Sequence, residues 1–217
     1  MEELRALGVD IFTGGNHSFA QMELIGPYMN MQDSPQLRPT NFYESSHYTL
    51  PGRGVAVFTK NGSRLLVINL ISGNFLKDDV YNPFLRVDEI LQDHPISEYD
   101  GIVVDFHRES TAESYCMAEW LSGRVSLQYG THTHVQTNDD RILSSGTGAM
   151  TDIGMTGSLN SSIGQEFAGW IPNFVSGTGH FGPKRAVDMG SGVVCGLVVE
   201  IMSGKCTRLE KIRIVEE

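Results

Sequence analysis

The segment Gly101–Phe106 reads as a continuous apolar run that stops at His107. A short apolar run of this kind reads as a strand buried on both faces, which requires packed layers above and below it. The flanking sequence supplies them. Asn82–Leu91 has helical spacing, with Pro83 tolerated in its first turn. Thr111–Leu121 reads as a second helix and Val125–Tyr129 as another strand. Upstream, Val55–Thr59 and Arg64–Ile71 form strands joined at Asn61-Gly62, a strong hairpin turn signal. Downstream, Arg141–Leu143 can pair with Gly148–Ile153, and Gly192–Met202 with Cys206–Val215 around Ser203-Gly204. Helices alternate with strands in the middle and hairpins dominate the flanks. The expected fold is α/β, a mixed sheet or sheet sandwich covered by helices, in one domain over residues 1–217.

The ends of this pattern are less regular. Leu4 and Leu7 suggest a short helix, and Val9–Phe12 a strand that ends at Thr13-Gly14-Gly15. Phe19, Met22, Ile25 and Met29 predict a helix over 18–30, followed by a long polar connection over 31–53. The Gly/Ser-rich stretch 157–191 shows no clear period; a lid or substrate loop is one use for it. The first residues enter mid-helix and run straight to a Gly-rich turn, so the opening reads as a domain joined partway through.

With 40% apolar and 19% charged residues the chain can bury a core. Its 16 basic and 26 acidic residues leave a formal charge of -10, which repels the phosphates of duplex nucleic acid. A phosphorylated substrate would therefore need a local cation, and a metal ion is the economical source. Cys116, Cys195 and Cys206 form no CxxC pair and read as thiols in a reducing compartment. No apolar run approaches membrane-spanning length and no signal-peptide pattern opens the chain, so the expected location is cytoplasmic.

Four of the seven histidines follow apolar runs directly. His132 and His134 lie in Gly130-Thr131-His132-Thr133-His134, His107 ends Val103-Val104-Asp105-Phe106-His107, and His17 closes Thr13-Gly14-Gly15-Asn16-His17. Strand ends of an α/β sheet are where sites form. Neutral imidazole is the commonest transition-metal ligand, and an Asn16 carboxamide oxygen is a plausible hard ligand beside it. Asp105 can orient an imidazole or simply pair locally. Each motif alone has a bland reading as polar loop residues; three strand ends together favour a metal site. His47, His94 and His180 lack this context and read as surface or loop residues.

The motifs GGNH, VDFHRE, GTHTHVQT, DDRIL and TDIGMTG, in this order, resemble the YmdB-type family of bacterial metallophosphoesterases. RPTNF and NPFLRVDEIL also look like that family's intervening segments. The resemblance implies a calcineurin-like α/β/β/α sandwich with two metal ions, iron or manganese and otherwise zinc. It implies hydrolysis of small phosphodiesters, cyclic nucleotides above all, by attack of a metal-activated hydroxide. Carried onto this sequence, it makes Asn16, His107 and His132 ligands of one metal and His134 a ligand of the other. His17 becomes the general acid. Two metals about 3.5–4 Å apart can clamp a phosphate, and a nearby imidazole can protonate the departing alkoxide.

One departure accompanies the resemblance. The family's opening strand with a metal-binding Asp, and a second strand with a bridging carboxylate in an E-N pair, have no counterpart ahead of GGNH. On that expectation the fold is N-terminally truncated and the His134 metal lacks most of its ligands. Three readings stay open: part of an intact enzyme, a shortened chain with one weak metal site, or a catalytically inactive regulatory or scaffold domain. Open sheet edges in such a chain predict poor folding or self-association into homo-oligomers.

Overall fold

The computed structural model describes residues 1–45, 47, 49–76, 78–177 and 190–216. A six-stranded sheet organises the molecule. It contains β1 (Val55–Lys60), β2 (Ser63–Ile71), β3 (Gly101–His107), β4 (Leu127–Thr131), β5 (Arg141–Ile142) and β6 (Gly148–Met150), in the spatial order β1-β2-β3-β4-β6-β5. The four inner strands are parallel, while β1 and β5 pair antiparallel at the edges. Asn61, with φ 53°, and Gly62, with φ 84°, make the tight β1–β2 turn with left-handed backbone at both positions.

Helices α3 (Pro83–Asp93) and α4 (Thr111–Trp120) cover one face. Asn82 caps α3 by accepting the backbone N–H groups of Phe84 and Leu85, and Ser110 caps α4 through the N–H of Glu113. Val87 and Ile90 of α3 and Met117 of α4 bury against Leu66, Ile68 and Leu70 of β2 and Ile102, Val104 and Phe106 of β3. Strand period two sends these alternate side chains to one face and Asp105 and His107 to the other. Each fully buried side chain of this size contributes about 1.5–3 kcal/mol.

A second sheet, β7 (Thr156–Ser158), β8 (Gly192–Met202) and β9 (Lys205–Glu216), is wholly antiparallel. It joins the β5–β6 end of the first sheet: Cys206 N–H donates to the Gly146 carbonyl, and Gln136 Nε2 donates to the carbonyls of Gly196 and Ile212.

The hairpins, central strands and covering helices match the sequence expectations within a few residues. Three elements differ. Val9–Phe12 is no strand: α1 (Glu2–Ala6) ends at Gly8 with φ 100°, and Phe12 then makes one isolated bridge, to Gln36. The helix expected over 18–30 is α2 (Met22–Met29) alone, because Ser18 N–H and Ala20 N–H close tight turns onto Gly15 and His17 instead. Within 157–191, α5 (Phe167–Ser176) is a helix that sequence periodicity did not reveal, while His180 lies outside the described residues. Among the described residues no helix is long and apolar enough to cross a membrane. Cys116, Cys195 and Cys206 are free thiols.

Candidate metal centre

The carboxyl ends of β2, β3 and β4 are in register, Ile71 beside His107 and His107 beside Thr131. A cleft of about 560 Å³ opens there, lined among others by Gly15, His107, His132, His134, Met155 and Gln165. The turn Thr13–His17 is fastened to this sheet end by the buried amide of Asn69. Gly14 N–H donates to Asn69 Oδ1 at 2.8 Å, and Asn69 Nδ2 donates to the Gly14 carbonyl at 3.1 Å. Gly15 lies directly on the His107 ring, where a Cβ would fall 2.3 Å from Cε1. Only glycine permits that approach, and it brings Asn16 to the imidazole.

The hydrogen bonds fix which nitrogens carry protons. Thr131 Oγ1 donates to Asp105 Oδ1 at 2.9 Å, and its remaining contact, with His107 Nδ1 at 2.9 Å, leaves the hydroxyl as acceptor. His107 is then protonated at Nδ1 and bears its lone pair on Nε2. Likewise His132 Nε2 lies 3.1 Å from Glu109 Oε2, a carboxylate that accepts, so the neutral ring has its lone pair on Nδ1. His107 Nε2 is 3.0 Å from Asn16 Oδ1 and 3.1 Å from His132 Nδ1. The His107 Nε2 lone pair therefore faces those of both Asn16 Oδ1 and His132 Nδ1 with no proton between them. Without a cation, the Asn16 amide relieves its part only by turning its NH2 toward His107. Donors bound at about 2.1 Å to a common ion sit roughly 3.0–3.4 Å apart, the spacing found here.

The electrostatics keep these donors neutral. Burial, reinforced by the charges of His132, Arg108, His17 and His134, drives the His107 imidazole down to about 3. Burial also lowers His132, against the opposing pull of Glu109. The fully buried Asp105 carboxyl is pushed up to about 7 by desolvation, while hydrogen bonds from Thr13 and Thr131 favour its charged form. Burial raises the Asp78 carboxyl, and the charges of His17 and His132 oppose that rise.

Asn16, His107 and His132 thus come together. His17 is exposed at the rim, close enough for its charge to act on His107 and Asp78. His134 stands apart from the trio, with Nδ1 donating to the Ile163 carbonyl at 3.1 Å. Among the described residues no three His, Cys, Asp or Glu side chains converge on one point. The convergent set is mixed, two imidazoles and a carboxamide, and His134 lines the same cleft outside it. His132 with φ 117°, His134 with φ 63° and the β-branched Ile163 with φ 48° hold left-handed backbone, strain of a kind that collects at functional sites. Asp105 acts on His107 through Thr131 rather than directly. Thr131, Asn69 and Glu109 carried no signal of their own in the sequence.

A family profile described as YmdB-like protein matches residues 1–212. The chain belongs to the YmdB family. It is 36% identical over 214 residues to the 2',3'-cyclic-nucleotide 2'-phosphodiesterase of Bacillus subtilis, which spans 97% of this chain and 76% of that protein. The crystal structure of a novel phosphatase from Mycoplasma pneumoniae superposes with a TM-score of 0.86 and 31% identity, over 100% of this chain and 75% of that one. The NAD nucleotidase of Haemophilus influenzae, 16% identical, shares the fold alone, with a TM-score of 0.52 over 98% of this chain and 41% of its own. The chain therefore has the calcineurin-like sandwich of metallophosphoesterases, and its relatives are phosphoric ester hydrolases.

Proposed function

We propose that this YmdB chain hydrolyses small phosphodiesters, with 2',3'-cyclic nucleotides as the favoured substrates, using a cation held by Asn16, His107 and His132. The observation that carries the proposal is that the His107 Nε2 lone pair faces Asn16 Oδ1 at 3.0 Å and His132 Nδ1 at 3.1 Å. The Bacillus subtilis relative is named for cleavage of that substrate class. Nitrogen and amide-oxygen donors suit iron, manganese or zinc. A cation there supplies Lewis-acid polarisation of the phosphoryl oxygen and a nucleophile at neutral pH.

The chain's own residues do the rest. Burial holds His107 neutral and its Nδ1–H is committed to Thr131, so Nε2 stays available. Gly15 lets the turn pack directly on the His107 ring, which keeps Asn16 beside His107 Nε2. His17, exposed at the rim beside Asp78, serves as proton donor to the departing alkoxide, and His134 faces the position of a second cation.

The separation of His134, held to the Ile163 carbonyl, from the Asn16, His107 and His132 set favours one other reading, a single-cation binding domain without turnover. Hydrolysis of bis-p-nitrophenyl phosphate and 2',3'-cyclic AMP by the purified protein, with and without added manganese, separates the two. The proposal expects metal-dependent turnover that His17→Ala lowers by about 10²–10⁴-fold. Metal binding without hydrolysis of either ester contradicts it.

A further inference from the structure

The turn that presents His132 and His134 needs a support of its own, because two non-glycine residues with positive φ flank Thr133. The support lies behind the sheet end. Asp152 Oδ2 accepts the Thr133 N–H at 2.9 Å, and Oδ1 accepts the Gly154 N–H at 2.9 Å. Asp152 also fastens the chain beyond the turn. Its N–H donates to Thr137 Oγ1 at 2.9 Å, and its carbonyl accepts the Thr137 N–H at 3.0 Å. The carboxylate is fully buried, and its countercharge is Arg108, also fully buried, with Nη1 at 3.8 Å.

Arg108 is unusual. None of its three guanidinium nitrogens has a hydrogen-bond partner among the described residues, although all are buried. Burial depresses its basicity, and Asp152 is the foremost charge opposing that. A buried guanidinium without hydrogen bonds is costly, so its retention next to Asp152 calls for a role. Gly130 makes the space for it: a Cβ there would lie 2.5 Å from Arg108 Nη2 and 1.9 Å from the Thr151 carbonyl.

We propose that Asp152 is the positioning residue of the His132–His134 turn, with Arg108 as the buried countercharge that keeps its carboxylate aimed at the Thr133 N–H. The pair fixes the strained backbone, and through it the direction in which each imidazole offers its lone pair. Carboxylate hydrogen bonds to backbone N–H groups are among the strong ones, and they act here without touching substrate or cation. The proposal rests on the reading of His132 and His134 as working imidazoles given above, and its test runs on the metal-free protein so that the two can fail separately.

The test is long-range ¹⁵N–¹H correlation of the histidine rings together with amide hydrogen exchange, on the full chain and on Asp152→Asn. In the unsubstituted protein His132 is protonated at Nε2 and His134 at Nδ1, each as a single tautomer, and the Thr133 amide is protected. In Asp152→Asn both rings become tautomer mixtures and Thr133 exchanges roughly tenfold faster or more, while Leu70 and Phe106 amides keep their protection. Unchanged tautomers in the variant, or equal loss of protection at Leu70 and Phe106, overturn the proposal. If Asp152→Asn does not fold, the unsubstituted protein still decides: a Thr133 amide exchanging at the rate of exposed loops overturns it. Fixed tautomers in a protein that binds no metal would instead sink the proposed function and leave the positioning role intact.

Discussion

The two faces of β3 carry opposite tasks within seven residues. Ile102, Val104 and Phe106 point to α3 and α4 and are completely buried. Asp105 and His107 point the other way, into a set of hydrogen bonds whose members cross from β3 to β4 and to the Gly15 turn. The apolar face supplies stability that does not depend on pH. The polar face gathers groups that cost stability, namely a neutral imidazole, a buried carboxyl and facing lone pairs. The cost gathered on one face is met by packing on the other.

The apolar side is the more costly to damage. Phe106→Ala leaves a cavity under α3 and α4 and lowers unfolding free energy by about 3–5 kcal/mol in chemical denaturation. A loss below roughly 1 kcal/mol would mean that the core lies elsewhere.

Next comes the polar side. Thr131→Val removes the acceptor for His107 Nδ1–H and the donor to Asp105 while keeping shape. Cation affinity should fall about 10–100-fold, and Thr131→Ser should restore it; equal affinity in the valine variant would remove the relay from the account. Gly15→Ala forces the His107 ring aside or the turn off the sheet, since the added methyl overlaps the ring. It should cost about 1–3 kcal/mol of stability and weaken cation binding, as calorimetry of both would register.

The smallest effect sharpens the difference in pH response. Burial alone would raise the Asp139 carboxyl, but hydrogen bonds from Thr137 and Thr151 and the Arg141 charge outweigh it and hold it below the ordinary value. A depressed carboxylate stabilises the fold above its ordinary range, and that contribution is lost as pH falls through the folded value. Asp139→Asn should therefore flatten the fall of melting temperature below about pH 4, while Ile68→Val lowers it equally at all pH values.

What was legible in the sequence follows the same division. Phe106 and His107 announced themselves because an apolar run ending in histidine is a local signal. Thr131 did not, since its partnership with His107 arises only from the parallel register of β3 and β4. Asn69 was hidden inside an apolar strand, and its use appears only once residue 14 is folded back onto it. Val9–Phe12 looked like a strand because sequence reports apolar character, not the availability of a partner; Phe12 finds a single one in Gln36. The family resemblance assigns His132 and His134 to different metals, and in the structure one turns toward His107 and the other toward Ile163.

Metal content per chain decides whether Asn16, His107 and His132 hold a cation. Elemental analysis of the purified protein after manganese or iron loading and gel filtration should be compared with the triple variant Asn16→Ala, His107→Ala, His132→Ala. The unsubstituted chain should retain at least one equivalent and the variant none. Equal metal in both, or none in either, would contradict it.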